Sequence, residues 1–368
     1  MHIESVSLHH IEMELKTPFV TSASTTKNRE LIIVEMKDKD GVIGWGECSA
    51  FASPWYTEET IQTAWHMLND FLVPLVLNKR IEHPNDVQML FQNIKRNNMA
   101  KASIEGAIWD VYAKRKNQPL SKLLGGNKYK IEVGAAIGIQ ENELTLLNTI
   151  EQYIEQGYKR IKVKIKRGME NAILSPIRKH FPSLALMVDA NSDYTLHDID
   201  LLKRLDHYNL LMIEQPLAAN DFVEHAQLQK QLKTPICLDE SINSYHDAFQ
   251  AIQLKSCQMI AIKVAKVGGL TASKQIHDLC KAKNIPVWCG GMLDSGIGRA
   301  HNIAISSLDN FTLPGDTSAS SRYWDRDIIV PEVTMNDGFI SVPTNAGIGY
   351  EIDRKALTAF TLKSTTIT

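Results

Sequence analysis

Five short apolar runs in the middle of the chain each end on a charged residue. Those residues, Lys164, Asp189, Glu214, Asp239 and Lys263, lie 25, 25, 25 and 24 positions apart. Such a spacing holds one strand, one helix and two short loops. Its repetition predicts consecutive βα units, and therefore a parallel sheet, because parallel neighbours need a crossover connection. From residue 131 onward there are eight such runs: IEVGAAIGI, YKRIKVKIK, LALMVDAN, LLMIEQPL, TPICLDES, QMIAIKVAK, IPVWCGGM and FTLPGD. Eight is what a closed (β/α) TIM-type barrel requires. The competing arrangement is an open doubly wound sheet, but no G-x-G-x-x-G follows the first run, so the dinucleotide-binding turn of that class is missing.

The residues before the repeat have a different texture. SVSLHHIEMEL, RELIIVEM and VIGWGEC are β-prone runs, the last two separated by an Asp40-Gly41 turn, and they predict an antiparallel meander. TIQTAWHMLNDFLVPLV, with Thr57, Glu58 and Glu59 as its start signal, and MAKASIEGAIWDVYAKRK read as helices. QPLSKLLGGNKYK is the expected hinge. The predicted organisation is an α+β unit over 1–125, the barrel over 126–330 and a C-terminal segment over 331–368 that returns to the first unit.

Composition narrows the partners. Among 368 residues, 40 Lys+Arg against 42 Asp+Glu leave a net charge of -2, with no basic footprint for nucleic acid or an anionic membrane surface. Small molecules are the expected partners, and a homo-oligomer is left open. No apolar run approaches the roughly 20 residues of a membrane-spanning helix, and MHIESVSLHHIEMELK is too polar for a signal peptide, so the expected location is cytoplasmic. Five cysteines without a C-x-x-C make neither a disulfide framework nor a zinc ribbon, and Cys237 and Cys289 sit in apolar runs as core residues. His9 and His10 are adjacent in a strand-like stretch and point to opposite faces, against a shared metal.

In a (β/α) barrel, chemistry sits at the C-terminal strand ends. One acid there is more commonly a helix cap or half of an ion pair. Three in phase, Asp189, Glu214 and Asp239, would repel each other unless a cation neutralised them, and an all-oxygen set selects Mg²⁺ or Mn²⁺ over zinc. Lys164 and Lys263 come from the second and sixth runs, which lie across an eight-stranded ring from each other. Lys162 shares a face with Lys164 one layer deeper, and it is expected to tune Lys164 towards a neutral base. A divalent cation flanked by opposed lysines suits removal of a proton α to a carboxylate, with the enediolate oxygens on the metal. General-base catalysis supplies about 10²–10⁴-fold, so the metal has to carry more of the barrier, acting on charge that is larger in the transition state than in the ground state.

These residues resemble the enolase superfamily, and most closely its o-succinylbenzoate synthase and N-acylamino acid racemase family. The resemblance runs through Lys162-Val163-Lys164, the VDAN at 188–191, IEQPL at 213–217, LDES at 238–241, IKVAKVGGL ending at Leu270, WCGGMLDSGIGRAHN and GDTSASSRYWDRDI. It implies that the first unit caps the barrel, that Asp189, Glu214 and Asp239 ligate Mg²⁺, and that Lys164 and Lys263 flank a small carboxylate substrate. In the synthase the first lysine takes the α proton and returns it to the departing hydroxyl in a syn elimination, while the second stays cationic; in the racemase both exchange protons. Asn191 and Glu240 would support the ligands. Gly291 and Met292 would line the pocket, where the Gly-Gly pair lets substrate oxygens approach the backbone. Loops around Phe19 to Ser24 and Ala50 to Trp55 would cover the mouth. The implied activity is dehydration of 2-succinyl-6-hydroxy-2,4-cyclohexadiene-1-carboxylate in menaquinone synthesis. N-acylamino acid (N-succinylamino acid) racemisation is the alternative or a second activity of the same site, and muconate lactonisation ranks behind both. A non-catalytic barrel would have lost a lysine or a carboxylate. Asp294-Ser295, Ala136 and Ala261 stand where many relatives have Glu-Thr, Ser and Asn, and they are expected to approach the pocket and bear on substrate choice.

Overall fold

The computed structural model describes residues 1–20 and 25–368. Strands β1 (Ile3–Val20), β2 (Thr25–Asp38) and β3 (Ile43–Cys48) form the expected antiparallel meander. The turn between β2 and β3 is held by the Asp38 carboxylate, which accepts from the Asp40 and Val42 N–H groups, while Gly41 takes the positive φ of +82°.

Both expected helices form, but the first begins differently from the sequence expectation. Helix α1 (Ile61–Met67) is capped by Thr60, in a reciprocal box with Thr63, and not by Thr57 to Glu59. Glu59 instead turns away and accepts from the N–H groups of Met99 and Ala100, at 2.8 and 3.1 Å, at the start of α2 (Asn98–Arg115). The reason is burial: α2 is enclosed along most of its length, so its first amides lack water and need a protein acceptor. Gly44 and Gly46 of β3 let α2 lie directly on the strand. A Cβ at Gly46 would fall 1.8 Å from the Ser103 carbonyl oxygen.

The repeat folds as β4 (Ala135–Ile137), β5 (Ile161–Lys164), β6 (Leu186–Asp189), β7 (Ile213–Glu214), β8 (Ile236–Leu238), β9 (Met259–Ile262) and β10 (Val287–Cys289), all parallel and adjacent in chain order. The helices over the outside are α3 (Glu143–Glu155), α4 (Glu170–His180), α5 (Ile199–Arg204), α6 (Val223–Gln229), α7 (Tyr245–Leu254), α8 (Leu270–Ala282) and α9 (Gly296–Ser306). The eighth run, FTLPGD, does not become a strand. It occupies the gap by single parallel bridges, Phe311 to Val287 on one side and Gly315 to Val133 on the other. Pro314 has no N–H to give a ladder, which limits regular pairing there. A last strand, β11 (Thr361–Ile367), pairs antiparallel with β1 and completes the four-stranded sheet of the cap.

Inside the curled sheet, Met187, Met212, Cys237 and Ala261, each two positions before a strand-end charge, form a separate buried cluster with Trp288 of β10. Period-two alternation puts them on the same inward face as the charges, one layer deeper. The charged layer therefore rests on an apolar plug. All five cysteines are free and buried.

Candidate active site

Register sets the charges side by side. Lys164 pairs with Asp189 across β5 and β6, and Asp189 with Glu214 across β6 and β7. Asp239 and Lys263 directly follow β8 and β9. The Lys164 ammonium donates to Asp189 Oδ2 and Asn191 Oδ1, each at 2.6 Å, and Asn191 donates onward to Glu240 Oε1 at 2.9 Å. Lys263 makes an ion pair with Asp239 at 2.8 Å and donates to the Tyr56 hydroxyl at 2.7 Å. Tyr56 in turn donates to the Asp239 carboxylate, whose oxygens are both 3.1 Å away.

Lys162, the cation expected beside Lys164, is itself held by carboxylates. It is 4% exposed and contacts Asp316, Glu214 and Asp189 at 2.7, 3.0 and 3.6 Å. Burial opposes its charge, but Asp316, Glu214 and Asp189 outweigh burial and hold its pKa above the usual lysine range. It is a fixed cation committed to three carboxylates. Lys263 follows the same logic: burial is outweighed by Asp239, Glu214 and Glu240, and its pKa also lies above the ordinary value. Lys266, almost fully enclosed, donates to the Asp239 carbonyl and sits 3.3 Å from its carboxylate; burial holds its pKa below the lysine range.

The carboxylates divide into two kinds. Asp189 and Asp239 are buried, yet the lysines on them hold both below the usual carboxylate range. Glu214 is pushed well up by burial and by Asp189, and Glu240 is pushed up to about 7 by burial, Asp239 and Asp189. Each of these glutamates keeps one buried oxygen with no hydrogen-bond partner among the described residues, Glu214 Oε1 and Glu240 Oε2. A buried acceptor without a donor is costly, and a hard cation would satisfy it. The donor chemistry thus fits a divalent ion. As the side chains stand, Asp189, Glu214 and Asp239 are each drawn onto ammonium groups. Among the described residues no three His, Cys, Asp or Glu side chains are gathered closely enough to hold a metal. Holding an ion requires those carboxylates to exchange lysine contacts for it.

Above this layer is a pocket of about 70 Å³ that both Lys164 and Lys263 line. Its cap wall is Phe19, Phe51, Trp55 and Tyr56; Thr21 to Ser24, the rest of the first expected lid loop, lie outside the described residues. Gly291 and Met292 line it as expected. The adjacent Gly290 has a more immediate reason than substrate access, since a Cβ there would lie 2.8 Å from Cε and Cγ of Lys263.

Of the four departures from the family pattern, Ala136 lines the pocket, whereas Asp294, Ser295 and Ala261 do not. Ala261 belongs to the apolar plug. Asp294 accepts from Ser49 and Asn302 at 3.1 and 3.0 Å, and Ser295 donates to Glu47 and caps α9. These two fasten the cap to the barrel, where burial and Asp294 push the Glu47 carboxyl up to about 7. Sequence reasoning missed Tyr56, Lys266 and Asp316. The phase rule could have found Asp316, which ends the eighth run, while Tyr56 adjoins the second lid loop.

Two family models cover most of the chain. Residues 3–125 match the mandelate racemase / muconate lactonizing enzyme N-terminal domain, and residues 145–356 match the enolase C-terminal domain-like family. The chain is 58% identical over 361 residues to an o-succinylbenzoate synthase of Geobacillus stearothermophilus, covering 98% of this chain and 96% of that protein. It is 40% identical over 352 residues to an N-succinylamino acid racemase of Thermus thermophilus, covering 96% and 95%. A crystal structure of an enolase-superfamily member from Listeria innocua superposes with a TM-score of 0.97 at 45% identity, over 100% of this chain and 99% of that one.

Proposed function

This chain belongs to the enolase superfamily, and on that premise we propose that it is an o-succinylbenzoate synthase, a lyase that dehydrates 2-succinyl-6-hydroxy-2,4-cyclohexadiene-1-carboxylate in menaquinone synthesis. The observation that carries the reading is that Lys164 and Lys263 line one pocket while anchored on different carboxylates, beside the strand-end acids. Asp189, Glu214 and Asp239 would hold Mg²⁺, with Mn²⁺ as its substitute, and Asn191 and Glu240 would support them. Once bound, the cation would offset the negative charge that gathers on the substrate carboxylate as the α proton leaves.

Lys164, in its neutral form, takes the proton from the carbon bearing the carboxylate. The electron pair moves into the ring, the neighbouring hydroxyl departs, and it recovers that proton from Lys164 on the same face. One water leaves and the ring becomes aromatic. Lys263 stays an ammonium ion, because Asp239, Glu214 and Glu240 hold its charge, and faces the developing negative charge from another side. Phe51 and Trp55 shield the reacting centre from water, which strengthens both effects.

The same two lysines suit the alternative, racemisation of an N-succinylamino acid, in which each exchanges a proton with one face of the α carbon; a racemase relative at 40% identity favours keeping it as a second activity. We place the enzyme in the cytoplasm, and a homo-oligomer is compatible with this reading. The test is incubation of the purified protein with Mg²⁺ and the cyclohexadiene carboxylate, following 2-succinylbenzoate by chromatography. Conversion supports the synthase. Failure to convert it, with racemisation of N-succinylphenylalanine intact, would hand the assignment to the racemase.

A further inference from the structure

The synthase and racemase relatives share one word in their names, succinyl, and a succinyl group ends in a free carboxylate. A substrate carrying it has two anionic ends. The carboxylate next to the reacting carbon belongs with the strand-end charges, and the far one lies several bonds away and needs its own partner.

Next to the reaction pocket, sharing Phe19, Ala136 and Tyr323 with it, is a second cleft of about 280 Å³. Arg322 lines that cleft and not the first pocket. Its guanidinium lies over the rings of Tyr153, Tyr323 and Tyr158, with centroids 4.8, 5.3 and 5.7 Å away. One terminal nitrogen donates to Ser318 Oγ at 3.1 Å and the other to the carbonyl of Ala136, in β4, at 2.5 Å. A guanidinium has five N–H donors, and these bonds use two. Arg160 and Arg299, by contrast, are each paired with a carboxylate, Asp316 at 2.7 Å and Asp327 at 3.2 Å. Arg322 has no ion pair among the described residues, and Asp316, the carboxylate that acts on it, is already held by Arg160 and Lys162. The aromatic faces and the two bonds fix the plane of the group, leaving an oriented cation with spare donors beside the pocket.

We propose that this cleft is the subsite for the distal carboxylate of a succinyl-bearing substrate and that Arg322 binds it. The assignment rests on the reading of the reaction above and deepens it. An anionic acyl tail would then be selected over a neutral tail of similar length, and the chemistry would be indifferent to what the tail carries.

The test compares tails. For α-proton exchange, N-succinylphenylalanine and N-acetylphenylalanine are the substrates. Arg322→Gln should raise KM for the succinyl compound about 10- to 100-fold, the range expected for losing a charge-assisted contact, with a smaller change in kcat. KM for the acetyl compound should stay put, and Arg322→Lys should recover part of the loss. An equal change for both compounds, or none, overturns the proposal. A second measurement needs no variant: the unaltered protein should bind 2-succinylbenzoate at least tenfold more tightly than 2-butyrylbenzoate, in which a methyl replaces the distal carboxylate. Equal affinity overturns the subsite. Absence of all turnover in the unaltered protein would count against the reaction, and the binding comparison would still decide the cleft.

Discussion

Lys164 and Lys263 look into the same pocket from walls of different construction. Lys164 is held by the barrel alone, between Asp189 and Asn191 on the neighbouring strand end. Lys263 spans the seam between domains, bonded to Asp239 of the barrel and to Tyr56 of the cap, with Lys266 buried behind the same carboxylate. Its charge is held by several carboxylates at once. The first wall needs only the repeat to be correct, whereas the second also needs the cap seated. A base must change its protonation state, and a stabilising cation must not, so the more heavily countered lysine suits the second task.

The largest effect should come from the carboxylate under the second wall. Asp239→Asn weakens the proposed hard-cation site and strips the charge facing Lys263 and Lys266, so turnover should fall on the order of 10⁴-fold or more with the circular dichroism spectrum unchanged. Exhaustive chelation should do the same to the unaltered enzyme, and full turnover after it would remove the metal from the account. Lys263→Arg comes next. It keeps the charge but alters bulk and geometry, so racemisation should vanish while dehydration survives at about a hundredth of its rate. Equal loss of both activities would mean that the two walls do not divide the work as described.

Tyr56→Phe is a finer cut. It removes one bond from Lys263 and leaves Lys164 untouched, and kcat should drop about tenfold, as expected for a hydrogen bond to a charged group. The smallest effect concerns the seam itself. His301 packs on Gly106 of α2, and burial with the nearby Lys114 lowers its pKa to about 4. The unfolded chain takes up that proton near 6.5, so this contribution to stability is complete above 6.5 and is lost as pH falls towards 4. Thermal melts across that window should show a shallower slope for His301→Asn than for the unaltered protein.

What could be read in advance follows from the same comparison. The barrel wall was legible because a strand alternates with period two and a βα unit has a narrow length, so a phase of 25 residues places Lys164, Asp189 and Glu214 on one rim. The seam was not. Tyr56 reaches Asp239 from a loop whose path no periodicity encodes. Asp294 and Ser295 adjoin the pocket-lining Met292 in sequence, but the turn into α9 sends them to Ser49 and Glu47 instead. Glu59 looked like the cap of its own helix and serves another because α2 is the one deprived of water. The shortest ion pair of Lys162, to Asp316, was not legible because Asp316 lies in the irregular eighth run.

The central claim, a base at Lys164 and a fixed cation at Lys263 on opposite faces of the α carbon, is tested most directly by proton exchange. Each enantiomer of an N-succinylamino acid is placed in deuterated water with the Lys164→Ala protein and followed by NMR. The account predicts that racemisation disappears and that exchange at the face served by Lys164 is lost, by about 10²–10⁴-fold or more. Any exchange that survives should be confined to the enantiomer whose α proton points at Lys263. Unimpaired racemisation in that variant would show that the base lies elsewhere.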